Sequence, residues 1–343
     1  VRAGLSSFAT YIPAGVQTSW QISHLSGIPE QVVTEKLGIR SKPRAGPCEQ
    51  VSEMAAKAAR KALGDVDPAT LDVVLWTGSE YKDYGIWSAG PKVQHEIGAV
   101  NAWATDVASR CASQQVAIKF AKDMLVADPR VNRILLAGGH RMIDKLNYAN
   151  PRSRFLFNMS DGASAVLIER GDASGRNEIL ESAFITDGSF ADDVMVPGGG
   201  TRQPLTKDNF DPSLLQLDVP DPPGMKARLD RVSMRNFTSV VERAVTASGY
   251  AIADIGYFAV IHMKRSAHDA LLDAFGLCPE QSTYLDQFGH AGAPDVIRSL
   301  EIAAADGRLN EGDLVVLAGA GTGYIWAATC LRWGPFAANG AER

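Results

Sequence analysis

The chain has 343 residues, 45% hydrophobic and 21% charged, and a formal net charge of −5. That is the composition of an ordinary globular protein, long enough for two domains or one large two-part fold. The acidic balance, with no basic stripe interleaved with aromatics, argues against a nucleic-acid partner, and no apolar run approaches the length of a membrane span. Four cysteines (Cys48, Cys111, Cys278 and Cys330) lie far apart with no C-x-x-C spacing. With no signal-peptide pattern at the N-terminus, this predicts a cytoplasmic protein with neither a disulfide framework nor a metal site.

In chain order, LDVVLWTGSE from Leu71 reads as an apolar strand running into a polar loop. NAWATDVASRCASQQVAIKFAKDML then reads as a short strand, a turn of small residues and a helix. RILLAGGHRM from Arg133 is a buried-type strand ending in a glycine turn, and GASAVLIE adds a further strand. The segment from Pro197 to Arg231, rich in Pro, Gly and Asp, reads as loops between two halves, either covering a site entrance or serving as a solvated linker. The earlier series then recurs as IGYFAVIHMK from Ile255, TYLDQFGHAGAPDVIRSLEIAAADG, LVVLAGAGTG from Leu314, and YIWAATCLRW. Continuous apolar strands alternating with helices imply an α/β fold with both sheet faces covered. The repetition predicts two similar halves, 1–170 and 171–343, related by a pseudo-two-fold axis.

The duplication carries a chemical expectation. Cys111 and the stretch around His290 hold equivalent strand-to-helix turns, so the axis brings two helix N-termini together. Helix N-termini carry unpaired N–H groups, and thiols held there ionise more readily. The competing explanation is a small buried cysteine packing as a hydrophobe. His262 follows a strand whose carboxyl end is a usual place for a site. Asp295, five residues after His290, either orients that imidazole or is a first-turn acid favoured by the helix dipole. There is no H-x-x-x-H pair and no G-x-S-x-G elbow for a metal hydrolase or serine esterase.

Six segments, in order, resemble the β-ketoacyl-acyl-carrier-protein synthase III family of the thiolase superfamily. They are EKLGIRSK, DVASRCASQQ, NMSDGASAVLIE, VIHMKRSA, FGHAGAPDVIRSLEIA and EGDLVVLAGAGTGYIWAATCLRW. The resemblance implies a thiolase-like, five-layered αβαβα fold. It implies Cys111 as the acyl-accepting nucleophile and His262 as the family's catalytic histidine. It places an oxyanion hole at the N–H groups of Cys111 and the Gly321–Thr322–Gly323 turn. Lys36, Arg40, Arg152 and Arg154 are candidates for the donor's phosphates, and Trp87 for the base of the acyl pocket; solvated surface charge and core packing are the respective alternatives. The resemblance also implies a homodimer joined edge to edge.

The departures matter as much. Family condensing enzymes have an asparagine where this chain has His290, and histidine can accept a proton where asparagine cannot. Ala274 and Phe275 replace the paired lysines that dock the acidic carrier protein, and Val32 replaces the tryptophan that stacks on adenine. Within the family the chain is similar to the acyltransferases of polyketide tailoring, including the malonyl transferase of cervimycin biosynthesis. The expected activity is transfer of an acyl group, of malonyl type, from a coenzyme A or carrier-protein thioester through Cys111. The acceptor is a small-molecule hydroxyl, such as a sugar of a glycosylated polyketide. No permanent cofactor or metal is expected; the thioester is substrate, with acyl carrier protein as a candidate partner. Decarboxylative condensation and a catalytically silent partner subunit are the alternatives.

Overall fold

The computed structural model describes residues 2–171 and 175–336. Residues 1 and 337–343, the outer ends of the two expected halves, lie outside the described residues, as do 172–174. β1 (Arg2–Tyr11) is followed by a small paired ribbon, β2 (Gly15–Thr18) and β3 (Ser41–Arg44), with α1 (Ser19–Ser26) and α2 (Glu30–Glu35) between its strands. Then come α3 (Val51–Leu63), β4 (Val73–Trp76), α4 (Ala89–Ile97), β5 (Trp103–Asp106), α5 (Ser113–Ala127), β6 (Arg133–Arg141) and β7 (Asp161–Gly171). The remainder holds β8 (Arg176–Thr186), α6 (Pro222–Ala247), β9 (Ile255–Val260), α7 (Arg265–Phe275), α8 (Pro294–Ala305), β10 (Leu314–Gly321) and β11 (Ile325–Pro335).

Among the described residues, nine strands form one sheet in the order β5-β4-β6-β7-β1-β8-β11-β10-β9. β4–β6–β7–β1 and β9–β10–β11–β8 repeat one pattern, a parallel pair followed by antiparallel neighbours. The halves meet where Gly4 of β1 pairs with Glu178 of β8. β4, β9 and β10 are buried almost throughout, as expected of strands covered on both faces. α5 packs on β1, β6 and β7 and also on β8, β10 and β11; α8 packs on β1, β7, β9 and β10. These two helices form the central layer. α3 covers the outer face of the first half and α6 that of the second, which completes five layers.

Two expectations are corrected. The residues before His290 form no strand; only isolated bridges join Phe258 to Ser282 and Met159 to His290. The Pro197–Arg231 segment is neither wholly loop nor between the halves. It follows β8, and α6 starts inside it at Pro222, with the Asp221 carboxylate accepting from the Gly224 N–H at 3.0 Å. Proline at the first helical position and an aspartate cap are start signals, and they look like loop punctuation when read by composition.

Candidate active site

Cys111 lies in a single 3-10 turn, Arg110–Ala112, that leads directly into α5. The strained entry is visible at Arg110, whose φ is +53°. The end of β10 presses on this turn: a Cβ on Gly321 would lie 2.7 Å from the Ser109 carbonyl oxygen and 3.2 Å from the Cys111 nitrogen. Only glycine lets the Gly321–Gly323 turn lie this near the Cys111 N–H.

His290 closes the site from the other half. Its Nε2 is 3.0 Å from Cys111 Sγ, and its Nδ1 is 2.6 Å from Asp295 Oδ2. Asp295 is 2% exposed. Although it stands in the first turn of α8, its carboxylate turns back: Oδ1 accepts from the Ala291 N–H at 2.8 Å, and Oδ2 also accepts from the His262 N–H at 2.9 Å. The turn is possible because Gly292 has φ +76° and the His140 ring fills the space where its Cβ would be, with the nearest ring atom 2.3 Å away.

The electrostatics follow from this line of three groups. Burial alone would lower the proton affinity of His290. The Coulombic influence of Cys111 and Asp295, with hydrogen bonds to both, outweighs burial and raises its pKa well above the ordinary imidazole value. Nε2–H therefore donates to sulfur and Nδ1–H to carboxylate. The arrangement is a Cys–His–Asp triad in geometry, with the carboxylate fixing the ring as in hydrolase triads.

His262 is close by but differently engaged. Its ring Nε2 is 3.1 Å from the Gly38 carbonyl oxygen and its Nδ1 is 3.1 Å from Asn158 Nδ2. Burial, the leading cause, lowers its pKa to about 4. Both ring nitrogens of His262 are occupied by the protein, and what reaches Asp295 is its main-chain N–H. Asn158 went unrecognised in the sequence, as did Lys42, a fully buried lysine whose Nζ donates to the carbonyls of Phe157 (2.6 Å) and Met159 (2.5 Å) and to Tyr148 Oη (3.0 Å). A polar residue inside the apolar run RFLFNM was the available signal for Asn158; nothing local marked Lys42 as buried.

The remaining candidates scatter. Arg40 pairs with Asp286 at 2.9 Å, and Arg152 forms a fork on Asp218 at 3.1 and 2.7 Å. Lys36 and Arg154 are exposed. Trp87 packs on the apolar cluster between the first-half strands, α3 and α4, edge-on to Tyr84. Among the described residues, no group of His, Cys, Asp and Glu is arranged to hold a metal ion, and no helix is long and apolar enough to cross a membrane.

The buried histidines make a stability prediction. His140 is lowered to about 3 and His262 to about 4 from 6.5, in both cases chiefly by burial. The unfolded chain therefore binds more protons than the fold between about pH 4 and 6.5, and stability falls as pH drops through that window. At pH 5 each costs about 1–2 kcal/mol relative to pH 6.5. His268, lowered to about 4, acts in the same sense. Asp161, raised to about 6 by burial, opposes them. Urea unfolding is expected to give a net stability roughly 3 kcal/mol lower at pH 5 than at pH 6.5; equal stability at the two values would contradict the buried neutral state.

The profile described as 3-Oxoacyl-[acyl-carrier-protein (ACP)] synthase III matches residues 105–188, and that of the same synthase's C terminal matches 245–333. Over 97% of this chain and 100% of the relative, the sequence is 27% identical to a β-ketoacyl-[acyl-carrier-protein] synthase III of Agrobacterium fabrum. It is 26% identical to a 3-oxopimeloyl-[acyl-carrier-protein] synthase of Rhodothermus marinus, over 97% of this chain and 94% of that one. In fold, it matches the crystal structure of 3-oxoacyl-[acyl-carrier-protein] synthase III from Aquifex aeolicus with a TM-score of 0.82 at 19% identity, covering 96% of this chain and 100% of the other. It matches OleA of Xanthomonas campestris, determined with lauric acid and lauroyl-CoA, with a TM-score of 0.82 at 18% identity, covering 97% and 99%.

Proposed function

Because the chain belongs to the 3-oxoacyl-[acyl-carrier-protein] synthase III family, we propose that it moves an acyl group from a coenzyme A or carrier-protein thioester to Cys111 and then to an acceptor hydroxyl, forming an ester. The observation that carries this reading is the line Cys111 Sγ–His290 Nε2, 3.0 Å, and His290 Nδ1–Asp295 Oδ2, 2.6 Å. In the first half-reaction the sulfur attacks the donor carbonyl, and the donor thiolate leaves with the proton from His290. The N–H groups of Cys111 and the Gly321–Gly323 turn are the proposed donors to the oxyanion. Acylation then changes His290. The charge at Cys111 is the largest of the influences raising its proton affinity, and a thioester sulfur carries no such charge. The imidazole is left neutral beside the acyl group, able to take the acceptor's hydroxyl proton while the oxygen attacks and the sulfur leaves.

A malonyl-type acyl group and a sugar hydroxyl of a glycosylated polyketide are our specific choice of substrates, supported by the family resemblance and by a base where condensing relatives have an amide. A homodimer joined along β5 belongs to the same proposal; β5 is one of the two end strands of the sheet among the described residues, and its Trp103 is 52% exposed. Acyl carrier protein is a candidate donor. The relatives' names favour a second reading, decarboxylative condensation. Intact mass after incubation with a malonyl thioester separates the two: a malonyl adduct on Cys111 is expected, and an acetyl adduct or released carbon dioxide supports condensation. Asp295→Asn keeps the shape but leaves the imidazolium without its counter-charge. Acyl transfer measured in single turnover should slow by roughly 10- to 100-fold, a milder defect than loss of the base itself. An unchanged rate would reduce Asp295 to a helix-start acid.

A further inference from the structure

The hydrogen bonds of His262 define its protonation. The Gly38 carbonyl can only accept, so Nε2, 3.1 Å away, carries the proton. The ring is then neutral with a lone pair on Nδ1, which faces the Asn158 amide nitrogen at 3.1 Å. An amide nitrogen only donates, so the two contacts agree on one tautomer. Its low proton affinity, set mainly by burial, keeps that state through the neutral range.

Asn158 is itself tightly held. Lys42 Nζ donates to the carbonyls on either side of it, at Phe157 and Met159. The carbonyl of Asn158 accepts from the His290 N–H at 2.8 Å, and Ser160 N–H donates to the His290 carbonyl at 2.9 Å. One residue therefore touches both histidines, the main chain of one and the side chain of the other.

We propose that Asn158 is a positioning residue that locks His262 as the neutral Nε2–H tautomer turned toward Gly38, so that the ring N–H of His262 is withheld from the acyl thioester. This deepens the ester-transfer reading and rests on it. Loss of carbon dioxide from a malonyl thioester leaves an enolate oxygen that must be met by N–H donors. With the His262 N–H spent on a backbone carbonyl and His290 acting as base, a malonyl group keeps its carboxylate long enough to be transferred. His262 contributes instead through its main-chain N–H, which steadies Asp295.

The test uses the full chain labelled with nitrogen-15 histidine, with the His262 signals assigned by their loss in His262→Gln. Two-bond proton–nitrogen spectra of the native protein are expected to show His262 neutral and protonated at Nε2 from pH 5.5 to 8. Asn158→Ala is expected to turn this into a mixture of tautomers. Protonation at Nδ1 in the native protein, titration of His262 near neutral pH, or an Asn158→Ala spectrum unchanged from native would each overturn the lock. As a second readout, carbon dioxide released per loaded Cys111 should be about tenfold higher in Asn158→Ala/His290→Asn than in His290→Asn alone; equal release would remove Asn158 from any part in choosing the reaction. If Asn158→Ala does not fold, the native spectra still decide the tautomer. Those spectra need neither donor nor acceptor, so failure of the lock and failure of the ester-transfer reading are separate results.

Discussion

Cys111→Ala is expected to take up no acyl group from any thioester and to lose turnover on the order of 10³-fold or more. The sulfur sits at the one place where the two halves of the fold bring a helix start, an imidazole and a glycine turn together. His290 Nε2 is 3.0 Å from it, and the Cys111 N–H lies beside Gly321. Alanine keeps that backbone and the buried methylene, so the fold should tolerate it. What disappears is the bond-forming atom. The negative charge that most strongly raises the proton affinity of His290 disappears with it. The variant should therefore show a second signature, a fall in the pKa of His290 measured on the labelled protein without substrate. Cys111→Ser keeps a hydrogen-bonding atom but presents a harder, less acidic nucleophile, and should load far more slowly than native. Intact mass after incubation with donor, and turnover with donor and acceptor, check both. An alanine variant working at the native rate would mean direct transfer between donor and acceptor, with no acyl-enzyme.

The sequence carried the site further than it carried the loops. Buried strands such as VVLW and LVVLAGAG announce themselves because a strand covered on both faces has no polar positions. Cys111 and Asp295 were legible because they sit at helix starts, where placement relative to the chain is fixed by local structure, and His290 because it lies in the short turn before α8. His262 was legible as a residue but not as a set of contacts. Its ring faces Gly38, 224 residues away, and Asn158, 104 residues away, and nothing in the local sequence encodes which of its nitrogens meets which partner. Lys42 shows the same limit. Flanked by Ser41, Pro43 and Arg44 it reads as an exposed cation, yet three acceptors from distant segments make its burial possible. The start of α6 was lost for a different reason: proline, glycine and aspartate stood at the cap positions, where those residues begin helices as well as end them.

The second large effect is expected from His290→Asn, and it separates the two half-reactions. Asparagine is the residue of the condensing relatives, keeps an amide donor beside Asp295, and cannot accept a proton at neutral pH. Loading of Cys111 needs a nucleophilic sulfur and an oxyanion site, so it should persist, though more slowly, because the imidazolium that favours the charged sulfur is gone. Transfer needs a base within hydrogen-bond reach of an alcohol, a poor nucleophile, and a positioned base typically supplies on the order of 10²–10⁴-fold. The ratio of transfer to loading should fall by that factor. The pH dependence gives the sign independently. In the acyl-enzyme the negative charge at sulfur is gone, so His290 gives up its proton at lower pH than in the resting protein. Native transfer should rise with pH through the His290 pKa of the acyl-enzyme and then level off, because the neutral imidazole is the working form. The asparagine variant should have no such limb. Rapid-quench measurement of loading and transfer at several pH values, on variant protein shown by its unfolding transition to be folded, decides between the possibilities. A variant with the native transfer-to-loading ratio and the native pH limb would remove His290 as the base. The rising limb would then need another group, and His262, with both ring nitrogens engaged, would have to leave Gly38 to supply it.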